Sequence, residues 1–250
     1  MEAIDRTFSI LESFLENNEE LSISELAKST GLSPSVIHRI VTSLAKKGYL
    51  TQKDKRGKYS LGLKFLSFSY FIQKNTAISN VALPFMLELS KLTNESVTLG
   101  IPDNRELVVV ERVEVDHDLR VGGGVGKRAS LYNTAVGKLF LSQMSYAEKQ
   151  SIFSDPSTVK STQYSIVDLS QMEKELERFK IEGCTFDREE MAIGIWSVAA
   201  PIYGIKGNIE AGVAVIVPTV RINNEKEVSL SSLIKACAAK ISRKLGFRGF

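Results

Sequence analysis

The chain has 250 residues, of which 43% are hydrophobic and 24% charged, with 2 cysteines and a net charge of +3. This length suits one large domain or two ordinary ones, and the composition is that of a globular protein and excludes a largely disordered chain. No apolar run approaches the ~20 residues of a membrane helix, and Glu2, Asp5 and Glu12 stand where a secretory signal would be basic and apolar. The cysteines, Cys184 and Cys237, are far apart with no C-x-x-C spacing, which excludes a disulfide scaffold or cysteine zinc site and predicts a cytoplasmic protein.

Location makes the small net charge informative. Residues 1–27 hold one base, Arg6, and seven acids; residues 28–74 hold ten bases and one acid, Asp54; residues 75–250 are balanced. A block of +9 in an otherwise neutral chain is suited to neutralising phosphates. It is equally what a solvated lysine-rich face would show, so charge alone leaves both readings open.

The periodicity of Ile4, Phe8, Leu11 and Leu15, with Ile10 and Phe14, predicts an amphipathic helix over residues 3–16. Ser22 and Glu25 form an S-x-x-E capping box for a second helix, which Gly31 ends. Ser33 and Pro34 open a third as N-cap and first helical residue, running to Lys47 and stopping at Gly48. Two short helices joined by a glycine turn make a helix-turn-helix. On the third helix Val36, Ile37, Ile40, Val41 and Leu44 form an apolar face. Ser35, His38, Arg39, Thr42 and Lys46 form the other face, which offers donors for base edges and no carboxylate to repel phosphate. Residues 49–52 and 58–61 then read as two strands joined by K-D-K-R-G, a hairpin whose Lys55, Arg56 and Lys58 suit the DNA backbone. The order specifies a winged helix-turn-helix at residues 1–61, mainly α with a small β-hairpin wing, and Ser33 joins its candidate DNA contacts. Residues 62–75 read as a linker helix.

Beyond it, residues 77–92 are helical, with Pro84 as an expected kink. Strands are predicted at 96–101, 107–114 and 119–121, and helices at 134–143 and 170–182, the latter capped by a Ser170/Glu173 box. Further strands fall at 185–187, 196–203 and 210–217, and a long helix at 225–245. Strands and helices segregated in this way predict an α+β domain with an antiparallel sheet over residues 76–250.

The stretches LSISELAKSTGLSPSVIHRIVTSLAKKGYL and YSLGLKFLSF resemble the IclR family of bacterial transcriptional regulators, and the later blocks make the resemblance specific. They are ERVE (111–114), LRVGGGVGKR (119–128), LYNTAVGKLFLS (131–142), EGCTFDREEMAIGIWSVAAPIYG (182–204) and AGVAVIVP (211–218). The resemblance covers nearly the whole chain. It implies a second domain similar to the GAF fold, a small-molecule effector, homodimers often paired into tetramers, a two-fold symmetric double-stranded operator, and repression as the commoner output. It also implies an effector pocket at Val121, Ala135, Val136, Asp187, Ile195, Ser197, Ala214 and Ile216. The two-residue strand period is consistent with that set: Ile195 and Ser197 share a face, as do Ala214 and Ile216, and Trp196 points away. Sheet core is the competing reading for the apolar members, whereas a buried Asp187 needs a partner or a ligand. Family members that bind small carboxylic acids tend to carry Ser or Cys at the positions of Ser197, Ala214 and Ile216. Only Ser197 keeps a hydroxyl here, so a larger or less polar effector is expected, with backbone N–H groups near Ala135 and Val136 still available to an anion.

Enzyme readings fail on spacing. G-G-G-V-G-K has Val121 where a P-loop needs its first Gly and Arg128 where it needs Ser or Thr, and Ser197 is not in a G-x-S-x-G elbow. His38 belongs to the reading helix, which leaves His117 alone for any triad; Asp116, His117 and Asp118 are adjacent residues that cannot all face one metal ion. No catalysis, metal, cofactor or membrane is expected. The alternatives are an architectural DNA binder without effector coupling, and a metabolite-processing enzyme with an accessory DNA-binding domain.

Overall fold

The computed structural model describes residues 2–17, 20–52, 57–75, 77–116 and 121–249. Lys53, Asp54, Lys55 and Arg56 of the basic hairpin, and His117, Asp118, Leu119 and Arg120, lie outside the described residues. The chain divides into two compact units, Met1–Asn75 and Thr76–Phe250.

In the first unit, α1 (Glu2–Asn17), α2 (Ile23–Thr30) and α3 (Pro34–Lys46) precede a two-stranded antiparallel sheet of β1 (Leu50–Gln52) and β2 (Tyr59–Leu61), followed by α4 (Lys64–Asn75). The predicted caps of α2 form: Ser22 accepts from the Glu25 N–H, Glu25 reaches back to Ser22, and Gly31 takes the left-handed conformation at φ 69°. Glu25 is held down to about pKa 2 by its hydrogen bonds from the Ser22 hydroxyl and backbone, with Lys58 adding to the effect. Ser33 differs from expectation. It stands at the N-cap of α3 but makes no capping bond, and its hydroxyl instead shares a hydrogen bond with Ser35 at 3.2 Å. Ile10, Phe14, Leu26, Ile37, Val41, Leu50 and Tyr59 close one small core, in which each helix contributes its apolar stripe.

The second unit is a six-stranded, wholly antiparallel sheet between two helical layers. The strands are β3 (Ser96–Asp103), β4 (Glu106–Val113), β5 (Arg128–Ser130), β6 (Thr185–Arg188), β7 (Ile195–Tyr203) and β8 (Ile209–Pro218), in the order β5-β4-β3-β8-β7-β6. Helices α5 (Ala77–Thr93) and α9 (Asn224–Lys244) pack through Met86, Leu89, Ile234 and Ile241 on one face, against Val97, Trp196, Val198, Val213 and Val215. Helices α6 (Ala135–Leu141), α7 (Tyr146–Phe153) and α8 (Leu169–Glu182) lie on the core of the other face. Central strands covered on both faces read as continuous apolar runs, which is why β7 and β8 show little polar alternation.

Three expectations change. Val121 lies in a loop, and the edge strand is the short, polar β5. Asp168, not Ser170, caps α8: its carboxylate accepts from the Gln171 N–H at 2.9 Å and from the Ser170 hydroxyl at 2.5 Å. Helix α7 was not expected, because Lys149 and Ile152 are its only buried residues and no apolar stripe announces it; its Ser145/Glu148 capping box is the signal that sequence reading passes over.

Glu95, immediately before β3, is 2% exposed and holds Arg221 at 3.0 and 2.6 Å and Lys226 at 2.7 Å, which ties the entry to β3 to the chain after β8 and to α9. Burial alone would raise its pKa, but these two cations outweigh burial and hold it below the ordinary value. The Glu95→Gln variant should lose about 2–3 kcal/mol at neutral pH. Because the folded-state pKa is depressed, that advantage exists above the unfolded value of about 4.3 and fades as pH falls through the folded one. Urea denaturation at neutral and acid pH should therefore show the gap between wild type and variant narrowing in acid.

Candidate functional site

The exposed face of α3 is as the residue pattern requires. Ser33, Ser35, His38, Arg39, Thr42 and Lys46 are all exposed, Ile37 and Val41 are fully buried, and Val36, Ile40 and Leu44 are half-buried. No acidic side chain stands on this helix. Lys58 is committed to Glu25 at 2.9 Å across a solvent-exposed pair, so part of the charge expected for the wing is balanced within the unit.

In the second unit, all eight residues expected at the effector site line one cavity of about 100 Å³. Register explains how they meet. On the sheet face opposite α5 and α9, Asp187 of β6 pairs with Ser197 of β7, Ser197 with Ile216 of β8, and Ala214 with Thr98 of β3. Ala135 and Val136, in the first turn of α6, cover that surface, and the loop carrying Val121 and Gly122 closes the side. Sequence reading missed Thr98, Leu107, Val109, Arg112, Lys127 and Met191. Arg112 escaped for a physical reason: β4 bulges where Leu99 pairs with Glu111 and Gly100 with Val109, leaving Val110 unpaired. The bulge flips the parity, so Leu107, Val109 and Arg112 share one face although 109 and 112 differ by an odd number.

The walls are locked by polar contacts. Thr134 caps α6 by accepting from the Gly137 N–H at 3.1 Å and donates to Ser130 O at 3.0 Å. A side chain at Gly137 would collide with the backbone of Leu131. Lys138, 1% exposed, donates to Phe186 O at 2.7 Å and to Glu190 at 2.5 Å, and Thr185 donates to Ala135 O at 2.7 Å. On the other wall Asp187 Oδ1 accepts from the N–H groups of Glu190 at 2.8 Å and Met191 at 3.3 Å, and Glu189, at φ 62°, accepts from the Gly194 N–H at 2.7 Å. Burial, reinforced by the nearby Glu190 carboxylate, pushes Asp187 up to about pKa 7 against the opposing backbone donors. Near the Gly-rich loop Arg112 donates to Val121 O at 2.5 Å and to Glu114 at 3.0 Å. Among the described residues no group of three or more His, Cys, Asp or Glu side chains is placed to hold a metal ion, and Cys184 and Cys237 are buried free thiols.

Two family models match, the IclR helix-turn-helix domain over residues 3–54 and the bacterial transcriptional regulator IclR C-terminal domain over residues 71–243. The chain belongs to the IclR family. Among its relatives is the HTH-type transcriptional regulator KdgR of Escherichia coli (strain K12), 28% identical over 98% of this chain and 93% of that one. The Thermotoga maritima IclR crystal structure superposes with a TM-score of 0.80 at 28% identity, covering 99% of this chain and 100% of that one. An IclR homologue from Microbacterium hydrocarbonoxydans, crystallised with 4-hydroxybenzoate, shares the fold with a TM-score of 0.83 at 18% identity, covering 98% and 99%. This IclR-family chain is thus a DNA-binding transcriptional regulator and not an enzyme. No helix among its described residues is long and apolar enough to cross a membrane.

Two variants test the locked walls. Lys138→Met strands Glu190 as a buried unpaired carboxylate and should cost about 3–5 kcal/mol in chemical denaturation, whereas Lys138→Met with Glu190→Leu should recover most of that loss. Asp187→Asn keeps the Oδ1 acceptor but removes the titration. The folded protein holds the Asp187 proton up to about pH 7 and the unfolded chain only to about 4. Its contribution is therefore complete below about pH 4 and is lost as pH rises to about 7. The stability of Asp187→Asn relative to wild type should climb across that window and then level off; a pH-independent difference would contradict the assignment.

Proposed function

We propose that the chain is a homodimeric repressor of the cytoplasm that reads a two-fold symmetric operator with α3, grips the backbone with its wing, and changes operator affinity when an effector occupies the cavity of the second unit. The observation that carries this reading is the exposed face of α3, where hydroxyl, imidazole and cationic side chains stand together without a carboxylate. Ser33, Ser35, His38, Arg39, Thr42 and Lys46 are assigned to base edges and adjoining phosphates, and Lys55, Arg56 and Lys58 to the backbone.

Self-association is supported by apolar side chains in water. Ile4 (60% exposed), Phe8 (57%) and Leu15 (66%) form a stripe along α1, and Leu66, Tyr70, Phe71 and Ile72 are similarly exposed on α4. Patches of this kind mark interfaces, and a single helix reads too few base pairs to be selective alone. The effector reading rests on a largely apolar cavity with Asp187 and Ser197 on β6 and β7 and Arg112 and Lys127 towards the Gly-rich loop. Such a lining fits a mainly apolar molecule with polar ends, in keeping with the bound 4-hydroxybenzoate of the homologue. Arg112, which also pairs with Glu114 at 3.0 Å, and Lys127 add cationic groups on the loop side of the cavity, which supports an effector with an anionic end beside an apolar body.

Selection of bound duplexes from a random library at about 0.15 M salt, with and without a metabolite extract, tests the whole reading. A two-fold symmetric sequence with half-sites about one helical turn or a multiple apart is expected, with enrichment altered by the extract. Arg39→Ala should lose about 1–3 kcal/mol of discrimination at one base pair of each half-site, while Lys55→Ala or Arg56→Ala weakens all duplexes alike. Unrelated sequences under every condition would reduce the protein to a phosphate binder, and a symmetric sequence indifferent to the extract would make it a constitutive one.

A further inference from the structure

Residues 154–168 run irregularly from α7 to α8, and they are tied to the walls of the cavity from outside it. Tyr132 donates to Val159 O at 3.0 Å and Asn133 to the Ser161 hydroxyl at 3.0 Å, which joins this segment to the chain entering α6. Further on, Thr162 donates to Glu189 O and Ser165 to Glu190 O, both at 2.6 Å. Their protons are committed to those carbonyls, because each hydroxyl oxygen already accepts from backbone N–H groups. Tyr164 donates to Thr162 at 3.1 Å, and Ser161 and Thr162 donate to Ser165 at 3.0 and 2.9 Å. Ser165 is 4% exposed, so its hydroxyl is built into the fold and not offered to water.

These two carbonyls belong to the peptide groups that hold Asp187. The Glu189 C=O shares its peptide plane with the Glu190 N–H, and the Glu190 C=O shares its own with the Met191 N–H. Those N–H groups are the two donors to Asp187 Oδ1, at 2.8 and 3.3 Å. In a trans peptide the C=O and N–H point to opposite sides, so each plane is gripped at both edges, by a hydroxyl outside and by the carboxylate inside. A carbonyl that accepts a hydrogen bond also makes the N–H of its own peptide a stronger donor. Glu189 itself stands at φ 62°, a conformation that a residue with a side chain keeps only where its surroundings impose it. Among the described residues no group hydrogen-bonds Asp187 Oδ2, which is left to an occupant of the cavity. We propose that Thr162 and Ser165 are positioning residues of the effector site: they fix the two peptide planes from outside, and with them the direction in which Asp187 presents its second oxygen to an effector. This inference rests on the effector reading above and extends the site to a segment that does not line the cavity.

The test compares wild type with Thr162→Val, Ser165→Ala and Thr162→Ser, by carbon NMR of the Asp187 carboxyl across pH and by operator binding along a dilution series of the metabolite extract. The backbone donors oppose the rise in the Asp187 pKa, so loosening them in the first two variants should raise its proton affinity about threefold to tenfold. These two should also need about threefold to tenfold more extract for the same change in operator affinity, while their binding without extract stays at the wild-type level. Thr162→Ser keeps the hydroxyl and should match wild type in both readouts. Glu190 and Lys138, with Arg112 and Lys127 elsewhere in the lining, are the charged groups that face Asp187, and no variant alters them. A merely structural role would lower the melting temperature and leave both readouts unmoved; that result, with a wild type that responds to the extract, overturns this inference alone. A moved titration with an unchanged response to the extract overturns it as well. Should Ser165→Ala fail to fold, the half-buried Thr162→Val carries the same comparison. A wild type indifferent to the extract would overturn the effector reading, and this inference with it.

Discussion

The second unit depends on one buried charge. The Lys138 ammonium is sealed between α6 and the sheet, where an unpaired ion would cost several kcal/mol, and its partners are the Glu190 carboxylate and the Phe186 carbonyl. An apolar pair would fill the same space at no loss of stability, and often with a gain. The ion pair adds direction: α6 sits at one rotation and one height over β6. Glu190 works twice, since its backbone N–H fixes Asp187 while its side chain fixes Lys138. The T-A-V-G-K and D-R-E-E blocks are therefore two halves of one clamp that spans the cavity, and Asp187 and Ala135 face each other because 52 residues of sequence separation are closed by that contact.

Signals carried by neighbouring residues were legible in the sequence. The capping box at Ser22, the left-handed Gly31 and the 3.6-residue stripes of α1 and α3 each depend on residues only a few places apart. The misses have equally local causes. Asp168 outcompetes Ser170 because a carboxylate two residues earlier accepts both the Gln171 N–H and the Ser170 hydroxyl. Strand β5 is three residues, Arg128, Ala129 and Ser130, on a sheet edge, too short to show an alternation.

Long-range geometry was legible only where the family resemblance supplied it. The eight residues it named converge on one cavity, but Thr98 and Arg112 do not announce themselves. Their membership follows from the pairing of Thr98 with Arg112 and from one unpaired residue, Val110, that reverses the parity of β4. A bulge leaves no compositional trace, and without it Arg112 would point towards α5 and α9. Counting hydroxyls on β7 and β8 describes half of the lining, and the cations, Arg112 and Lys127, come from the other half.

Effector control, on the reading proposed above, is limited by linkage. An effector moves operator affinity only by the ratio of its own affinities for the two arrangements of the protein, however tightly it binds either. Ligand contacts to the sheet and to α6 contribute little to that ratio, because the Lys138 clamp and the Thr185 bond hold these walls in one relation. The differential contacts then fall to the remaining wall, residues 121–127. It offers backbone from four glycines, and its tethers to β4 are the Gly126–Val109 and Val109–Lys127 hydrogen bonds and the Arg112 side chain on Val121 O. Arg112 thus has two roles available: it can meet the anionic end of an effector, and it already holds the loop that such an effector would touch. A ligand that competes for the guanidinium changes the tether as it binds, which converts occupancy of the cavity into a change in the wall.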